Sequence, residues 1–219
     1  MILEDHIKDN KDLFTNKVIQ ISKDLNEINP DWLMGIMYHE SRLDPHIRNK
    51  LNAVGLIQFM PDTAESLGTT PDKLAAMSNV SQLDYVYKYF KPYRNKLNTA
   101  YDLFLTTFFP AGIGKPDTWI IHSDKLKPET IAKWNSIFDL DKSNSITIGE
   151  YKQYLDQIFD RYGLDPYAKG SGFMLPMIEI FSDPAKALKK KDLKKKILIG
   201  AGILAGIGVV LALIFTPRK

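Results

Sequence analysis

The sequence has no cysteine among its 219 residues. This absence excludes disulfide bonds, zinc sites built on thiolates, iron–sulfur clusters and a catalytic thiol. Strand-like alternation of apolar and polar residues is scarce, whereas apolar residues recur at helical spacing. With 44% hydrophobic and 25% charged residues, the chain is expected to fold around a core. The sequence therefore predicts a mainly α-helical protein.

Acidic residues are scarce at the C-terminal end, where residues 189–219 hold eight basic residues and one acidic residue. The other 188 residues carry the remaining 21 basic and 25 acidic residues, so this larger part is mildly acidic although the net charge is +3. A binding face for nucleic acid is therefore not expected.

The longest uncharged run covers the 19 residues 197–215. As a helix it would cross most of a bilayer core about 30 Å thick. Six lysines precede the run and two basic residues follow it, as is typical of the two interfaces of a span. We expect a transmembrane helix at 197–215, after a linker and basic juxtamembrane segment at 166–196. Gly202 and Gly206 have the spacing at which two such helices can self-associate.

The expected location is a membrane, with a single C-terminal anchor. The N-terminus lacks the basic stretch and apolar run of a secretory signal. The lysines before the apolar run predict that residues 1–188 stay on the cytoplasmic side, and they favour anionic lipid headgroups.

Capping residues and apolar spacing predict the helices of residues 1–125. A second helix is predicted to begin at an Asp31 N-cap and to end at Glu40. Ser78 is expected to cap a later helix, and Thr99 with Asp102 resembles a capping box. The predicted buried faces are Phe14, Val18, Ile21 and Leu25 on the opening helix, and Val80, Leu83, Tyr87 and Phe90 on the helix after Ser78.

Glu40 ends a helix that is otherwise mostly apolar. A carboxylate buried without a partner beside Ile36 and Met37 would be costly, so this side chain either faces solvent or has a raised pKa. A raised pKa keeps a carboxyl protonated near neutral pH, as a general acid for cleavage of a glycosidic bond requires.

Two motifs follow in order: Glu-Ser-Arg-Leu-Asp-Pro at 40–45 and Gly-Leu-Ile-Gln-Phe-Met-Pro-x-Thr-Ala at 55–64. They closely resemble the first two motifs of the soluble lytic transglycosylases, a branch of the lysozyme-like superfamily related to goose-type lysozyme. The resemblance covers roughly residues 28–122. It implies a helical lysozyme-like domain, at 1–125, with a cleft for peptidoglycan glycan strands. It also implies that Glu40 is the catalytic acid, that Ser41 lies beside it, and that Gly55, Gln58 and Phe59 belong to the cleft wall.

The third family motif, usually Ala-Tyr-Asn followed by a small residue and glycine, is altered here. One candidate is Ala-Tyr-Asp at 100–102, which would make Tyr101 a substrate-binding residue. The segment 108–116 looks more like the variant found in phage-associated transglycosylase-like proteins. Phe109, within that segment, either stacks on a sugar ring or packs in the core, and the core role is favoured because apolar aromatic residues are mostly buried.

Most glycosidases use two carboxylates, but only Glu40 has support in this sequence. The resemblance implies that one glutamate acts as acid and then as base, while the C6 hydroxyl of muramic acid attacks the anomeric carbon. The product is a 1,6-anhydromuramic end, and no water is consumed. Asp44 and Asp62 look like a turn residue and a first-turn helix residue. If either were essential, hydrolysis as in a true lysozyme would describe the reaction better.

Residues 139–150 match the twelve-residue EF-hand template within a helix–loop–helix at 126–165. Asn144 stands where glycine is usual, and asparagine tolerates a left-handed backbone well. The alternative is a solvated acidic turn. Because only one loop is visible, calcium is expected to be structural. The predicted ligands are Asp139, Asp141, Ser143, Ser145, Thr147 and Glu150.

The sequence is compatible with two functions. One is a membrane-anchored lytic transglycosylase, carried in a phage virion because the predicted orientation would otherwise keep it from the cell wall. The other is a non-catalytic, tail-anchored calcium-binding protein that builds a virion or an envelope.

Overall fold

The structure, a computed structural model, describes residues 1–170. Within them, three short 3-10 segments lie at Glu4–His6, Lys91–Lys96 and Pro110–Gly112, and extended segments pair only in isolated bridges. The prediction of a mainly helical protein is confirmed. The α-helices of this part of the chain are α1 (Lys11–Asp24), α2 (Pro30–Ser41), α3 (Pro61–Ser66), α4 (Pro71–Ala75), α5 (Asn79–Phe90), α6 (Ala100–Phe108), α7 (Pro128–Trp134) and α8 (Ile148–Tyr162).

No helix in residues 1–170 is long and apolar enough to cross a membrane. The predicted span at 197–215, with Gly202 and Gly206, lies outside the described residues, as does most of the predicted linker.

Helix α2 forms the centre of the core, because every residue from Trp32 to Met37 is buried. Its N-cap is Asn29, one residue before the first helical residue Pro30, and not the predicted Asp31. The side-chain oxygen of Asn29 accepts a hydrogen bond from the Asp31 backbone N–H at 2.9 Å. Proline fits the first helical position because its missing N–H would have no partner there.

Helix α5 begins after the predicted Ser78 cap, but its buried face is rotated from the predicted one. Leu83 is buried as expected, whereas Val80 and Tyr87 remain partly exposed and Gln82 is buried. Gln82 is tolerated in the core because its amide oxygen accepts from Leu56 N at 2.9 Å and its amide nitrogen donates to two carbonyl oxygens.

Helix α8 shares the core of residues 1–125. Tyr151 of α8 stacks on Phe108 of α6 with 4.5 Å between ring centroids. Phe159, further along α8, packs against Phe104 at 5.1 Å. The predicted segments 1–125 and 126–165 are therefore joined by a common aromatic core.

The chain after α8 also packs against the domain. The carbonyl oxygen of Asp165 accepts from the Trp32 indole N–H at 2.8 Å, and that of Pro166 accepts from Ala100 N at 2.9 Å. The start of the predicted 166–196 linker is thus tied to α6 through Pro166, and the residue before it is tied to α2 through Asp165.

Candidate active site

Glu40 lies in the last turn of α2 and faces a concave space of about 360 Å³, which includes open solvent. The walls come from α2, the loop before α3, and helices α3, α5 and α6. Glu40 is the only carboxylate in the lining that the structure describes. The lining residues are Glu40, Ile57, Gln58, Phe59, Met60, Thr63, Tyr89 and Thr107.

Burial raises the pKa of Glu40 to about 8. Within residues 1–170, no side chain or backbone group forms a hydrogen bond or ion pair with its carboxyl group. The neighbouring His39 adds no compensating positive charge, because burial, Arg42 and Arg161 lower its pKa to about 4. Glu40 is therefore largely protonated at neutral pH, the state in which a carboxyl can act as a general acid.

Two of the predicted cleft residues, Gln58 and Phe59, line this cavity. The amide nitrogen of Gln58 donates to Gly55 O at 3.1 Å and to Ile47 O at 3.3 Å, which fixes the side chain on its own loop. Its amide oxygen has no partner among the described residues, so it can accept a hydrogen bond from a ligand. Phe59 presents its ring edge-on to Tyr89, at 6.4 Å between centroids.

Ser41 and Gly55, also predicted to bind substrate, do not line this cavity but hold the loop next to it. The Ser41 hydroxyl is buried and lies 2.9 Å from Met37 O and 3.0 Å from Leu56 O, so it ties the end of α2 to the loop. Gly55 has a φ of 79°, and a Cβ there would overlap the Gln82 amide. Ser41 holds the loop beside Glu40 through its hydrogen bonds, and Gly55 allows the loop to approach Gln82 closely.

Tyr101 and Phe109 also lie outside the cavity lining. The Tyr101 hydroxyl bonds to Asp156, and its ring packs 5.2 Å from Phe159, so it joins α6 to α8. Phe109 is fully buried and lies 6.0 Å from Trp119 between ring centroids. This burial agrees with the core role favoured for Phe109.

Three tyrosines that were not predicted as site residues interact with Glu40, one across the cavity and two through their electrostatics. Tyr89 lines the cavity, and its hydroxyl donates to Thr106 O at 2.6 Å. Burial and then the nearby Glu40 carboxylate raise the pKa of Tyr151, and Glu40 contributes less strongly to the raised pKa of Tyr154. No local pattern could have identified Tyr151 and Tyr154, because they lie more than a hundred residues after Glu40 in the chain.

Neither Asp44 nor Asp62 lines the cavity. Asp44 accepts a hydrogen bond from His46 N at 2.9 Å and forms an ion pair with Lys8 at 3.2 Å. Asp62 lies in the first turn of α3. These positions fit the turn and helix-start roles predicted for them.

The predicted calcium ligands form one exposed loop. The carboxylate oxygens of Asp139, Asp141 and Glu150 come within 4.8 Å of one another. Asn144 has the left-handed φ of 62° expected at its position. The predicted ligands Ser143 and Ser145 are close, with 2.9 Å between their hydroxyl oxygens. The Thr147 hydroxyl donates to Glu150 at 2.8 Å in the capping box of α8.

A helical fold with one carboxyl of raised pKa in a cavity suits a domain that cleaves glycosidic bonds. Residues 17–108 match the family described as the transglycosylase SLT domain. This part of the chain therefore has an SLT-type domain of the lysozyme-like superfamily, a family whose members are lytic transglycosylases that act on peptidoglycan. The match includes every residue that lines the cavity but none of α8. No curated protein and no solved structure is significantly similar to the chain.

Proposed function

We propose that the protein cleaves the bond between N-acetylmuramic acid and N-acetylglucosamine in peptidoglycan, with Glu40 as acid and then base. The observation that carries the proposal is that Glu40 is the only carboxylate of the described cavity lining and that burial raises its pKa to about 8. A group with this pKa can both donate and recover a proton near neutral pH.

The reaction balances with one carboxyl group. Protonated Glu40 donates its proton to the glycosidic oxygen as the bond to the muramic C1 breaks. The resulting carboxylate takes the proton of the muramic C6 hydroxyl while that oxygen bonds to C1. Glu40 is then protonated again, the glycan ends in a 1,6-anhydro ring, and no water is consumed. The free amide oxygen of Gln58 is placed to accept a hydrogen bond from the sugar.

Analysis of the released muropeptides by mass spectrometry tests this proposal. We expect anhydromuramic ends from the wild type, a loss of about 10²- to 10⁴-fold in rate for Glu40→Gln, and near-normal rates for Asp44→Asn and Asp62→Asn. Reducing ends instead of anhydro ends would indicate hydrolysis. No release by the wild type in the presence of calcium would contradict the enzymatic function and favour the non-catalytic alternative.

We also propose that the 139–150 loop binds one Ca²⁺ with a structural role. The convergence of three carboxylates supports the proposal, since Ca²⁺ prefers oxygen ligands. Asp139, Asp141 and Glu150 would supply carboxylates, Ser143 and Thr147 hydroxyls, and Ser145 its carbonyl. Calcium should raise the melting temperature of the wild type but not of Asp139→Asn with Asp141→Asn. Superimposable melting curves with calcium and with chelator would rule the site out.

We further propose a membrane location through residues 197–215 and carriage in a phage virion. The uncharged run with basic flanks supports the first part, and the altered motif at 108–116 supports the second. Immunodetection in purified particles tests the second part. Detection only in the host envelope would contradict it.

A further inference from the structure

A segment rich in tyrosine and basic residues leads away from the cavity along α5 and the following 3-10 segment. Residues 85–96 contain four tyrosines, four basic residues and no acidic residue. The described chain as a whole is acidic, with 23 acidic and 20 basic residues in 1–170. This segment is therefore a local concentration of positive charge next to the site.

The two flanks of α5 carry similar lysine–tyrosine pairs but face different directions. Tyr85 and Tyr89 are four residues apart and share a helix face, and Tyr89 lines the cavity. Lys88 lies 4.7 Å above the centre of the Tyr85 ring. Tyr87 and Lys91 form the second pair, at 5.5 Å. Each of these two is two residues from Tyr89, so both point away from the cavity side.

The positive charge of Lys88 is not neutralised within the described part of the chain. No carboxylate there forms an ion pair with it. The nearest acidic residue in sequence, Asp84, pairs with Lys17 of α1 at 2.8 Å. The Tyr85 ring holds the ammonium group through a cation–π contact, which leaves its N–H groups free for an anion.

An aromatic side chain connects the cavity to this basic surface. Tyr93 is partly buried, and its ring centroid lies 6.5 Å from that of Tyr89. Its hydroxyl has no hydrogen-bond partner among residues 1–170. A sugar chain that leaves the cavity along α5 would therefore meet an aromatic face and a free hydroxyl.

We propose that Lys88, which precedes the cavity-lining Tyr89 and contacts the Tyr85 ring, binds a carboxylate on the peptide stem of the muramic acid residue. The inference rests on the proposed function, because it takes a peptidoglycan strand as the ligand. Its support is charge complementarity, since peptide stems carry free carboxylates, and continuity with the cavity through Tyr89. Lys88 would thus distinguish strands that carry peptides from bare strands.

The test compares Lys88→Gln with Lys91→Gln, which makes the same charge change three residues further on, directly after α5 and on its other side. Both are measured on glycan strands with intact peptide stems and on strands from which an amidase has removed the stems. For Lys88→Gln we expect KM to rise about 2- to 5-fold on peptide-bearing strands, the effect of losing one exposed ion pair. No change is expected on bare strands, nor for Lys91→Gln on either substrate.

Binding to the two kinds of strand is also measured in the Glu40→Gln background, so that Lys88 is tested even if the protein cleaves neither. A peptide-dependent loss of binding for Lys88→Gln alone supports the proposal whether or not cleavage occurs. Equal losses on both kinds of strand, or equal losses for Lys88→Gln and Lys91→Gln, would overturn it. The proposal would also be overturned if Lys88→Gln and Lys91→Gln both bound vesicles of anionic lipid equally less well than the wild type and showed no dependence on the peptide stems. That result would indicate a membrane-facing surface.

Discussion

Glu40 acquires its chemistry from its surroundings and not from a charged partner. Burial alone raises its pKa, and the adjacent His39 is held neutral. The neighbouring tyrosines add polar groups without adding positive charge. A carboxyl in this setting is neutral at pH 7, because its ionised form loses hydration and gains no ion pair.

The raised pKa makes the stability of the fold depend on pH. The folded carboxyl has a pKa of about 8 and an unfolded one about 4.5, so the folded state binds the proton more tightly between these values. The free energy of unfolding should therefore fall as the pH rises through this window, by up to about 1.4 kcal/mol per pH unit. The glutamine side chain in Glu40→Gln is neutral at every pH, so the stability of this variant should not fall with pH for this reason.

We expect Glu40→Gln to melt at nearly the same temperature as the wild type at pH 4.5 and at a higher temperature at pH 8. Calorimetry across this range measures the difference. A difference that stays constant with pH would show that Glu40 is ionised and solvated in the folded protein. Wild-type activity should also decline as the pH rises through 8, because the acid form is lost.

Substitution of Gly55 tests how much the close contact between the loop and Gln82 contributes to stability. Gly55→Ala should destabilise the protein, because alanine there would adopt a left-handed backbone, at a cost of about 1–2 kcal/mol, and would also overlap Gln82. Gly68→Ala is the matched control, since Gly68 has a φ of 78° and nothing within 4 Å. Chemical unfolding should show a clearly larger loss for Gly55→Ala. Equal losses would mean that Gln82 moves aside at no cost.

At the scale of elements, the site is an assembly of helix ends and one loop. Helix α2 delivers Glu40, and the loop before α3 delivers Gln58 and Phe59. Helix α8 lies outside the matched family segment and supports α6 from the side of the core, through Tyr151 on Phe108 and Phe159 on Phe104. The capping boxes at Thr99 and Thr147 set where α6 and α8 begin, and therefore which of their side chains point inward.

The contribution of α8 can be measured with Phe159→Ala. This ring is buried against Phe104 and Tyr101, so its removal should cost about 3–5 kcal/mol of stability. Trp134→Ala on α7 is the control, because Trp134 is 48% exposed and should cost far less. A small effect of Phe159→Ala on chemical unfolding would show that α8 is dispensable for the core.

At the scale of the whole molecule, the proposed anchor would confine the domain to a surface and raise its local concentration near a wall. We expect the full chain to stay with lipid vesicles after an alkaline carbonate wash, and a variant that ends at residue 196 to be released. The basic residues 189–196 remain in that variant, so the comparison isolates the apolar run. Release of both proteins would contradict the anchor.

The sequence alone determined the features that depend on neighbouring residues. Helix starts at Ser78 and Thr99, the acidic loop and the position of Glu40 at the end of a helix could be predicted, because caps, turns and motifs act over a few residues. Only the tertiary structure decided which side chains meet Glu40. It brought Tyr89 into the cavity with Glu40, and it gave Ser41, Gly55 and Tyr101 hydrogen bonds and contacts that hold the loop and join α6 to α8. Packing between helices that are distant in sequence determines which side chains lie at the site, because burial and hydrogen-bond partners depend on contacts that no local pattern contains.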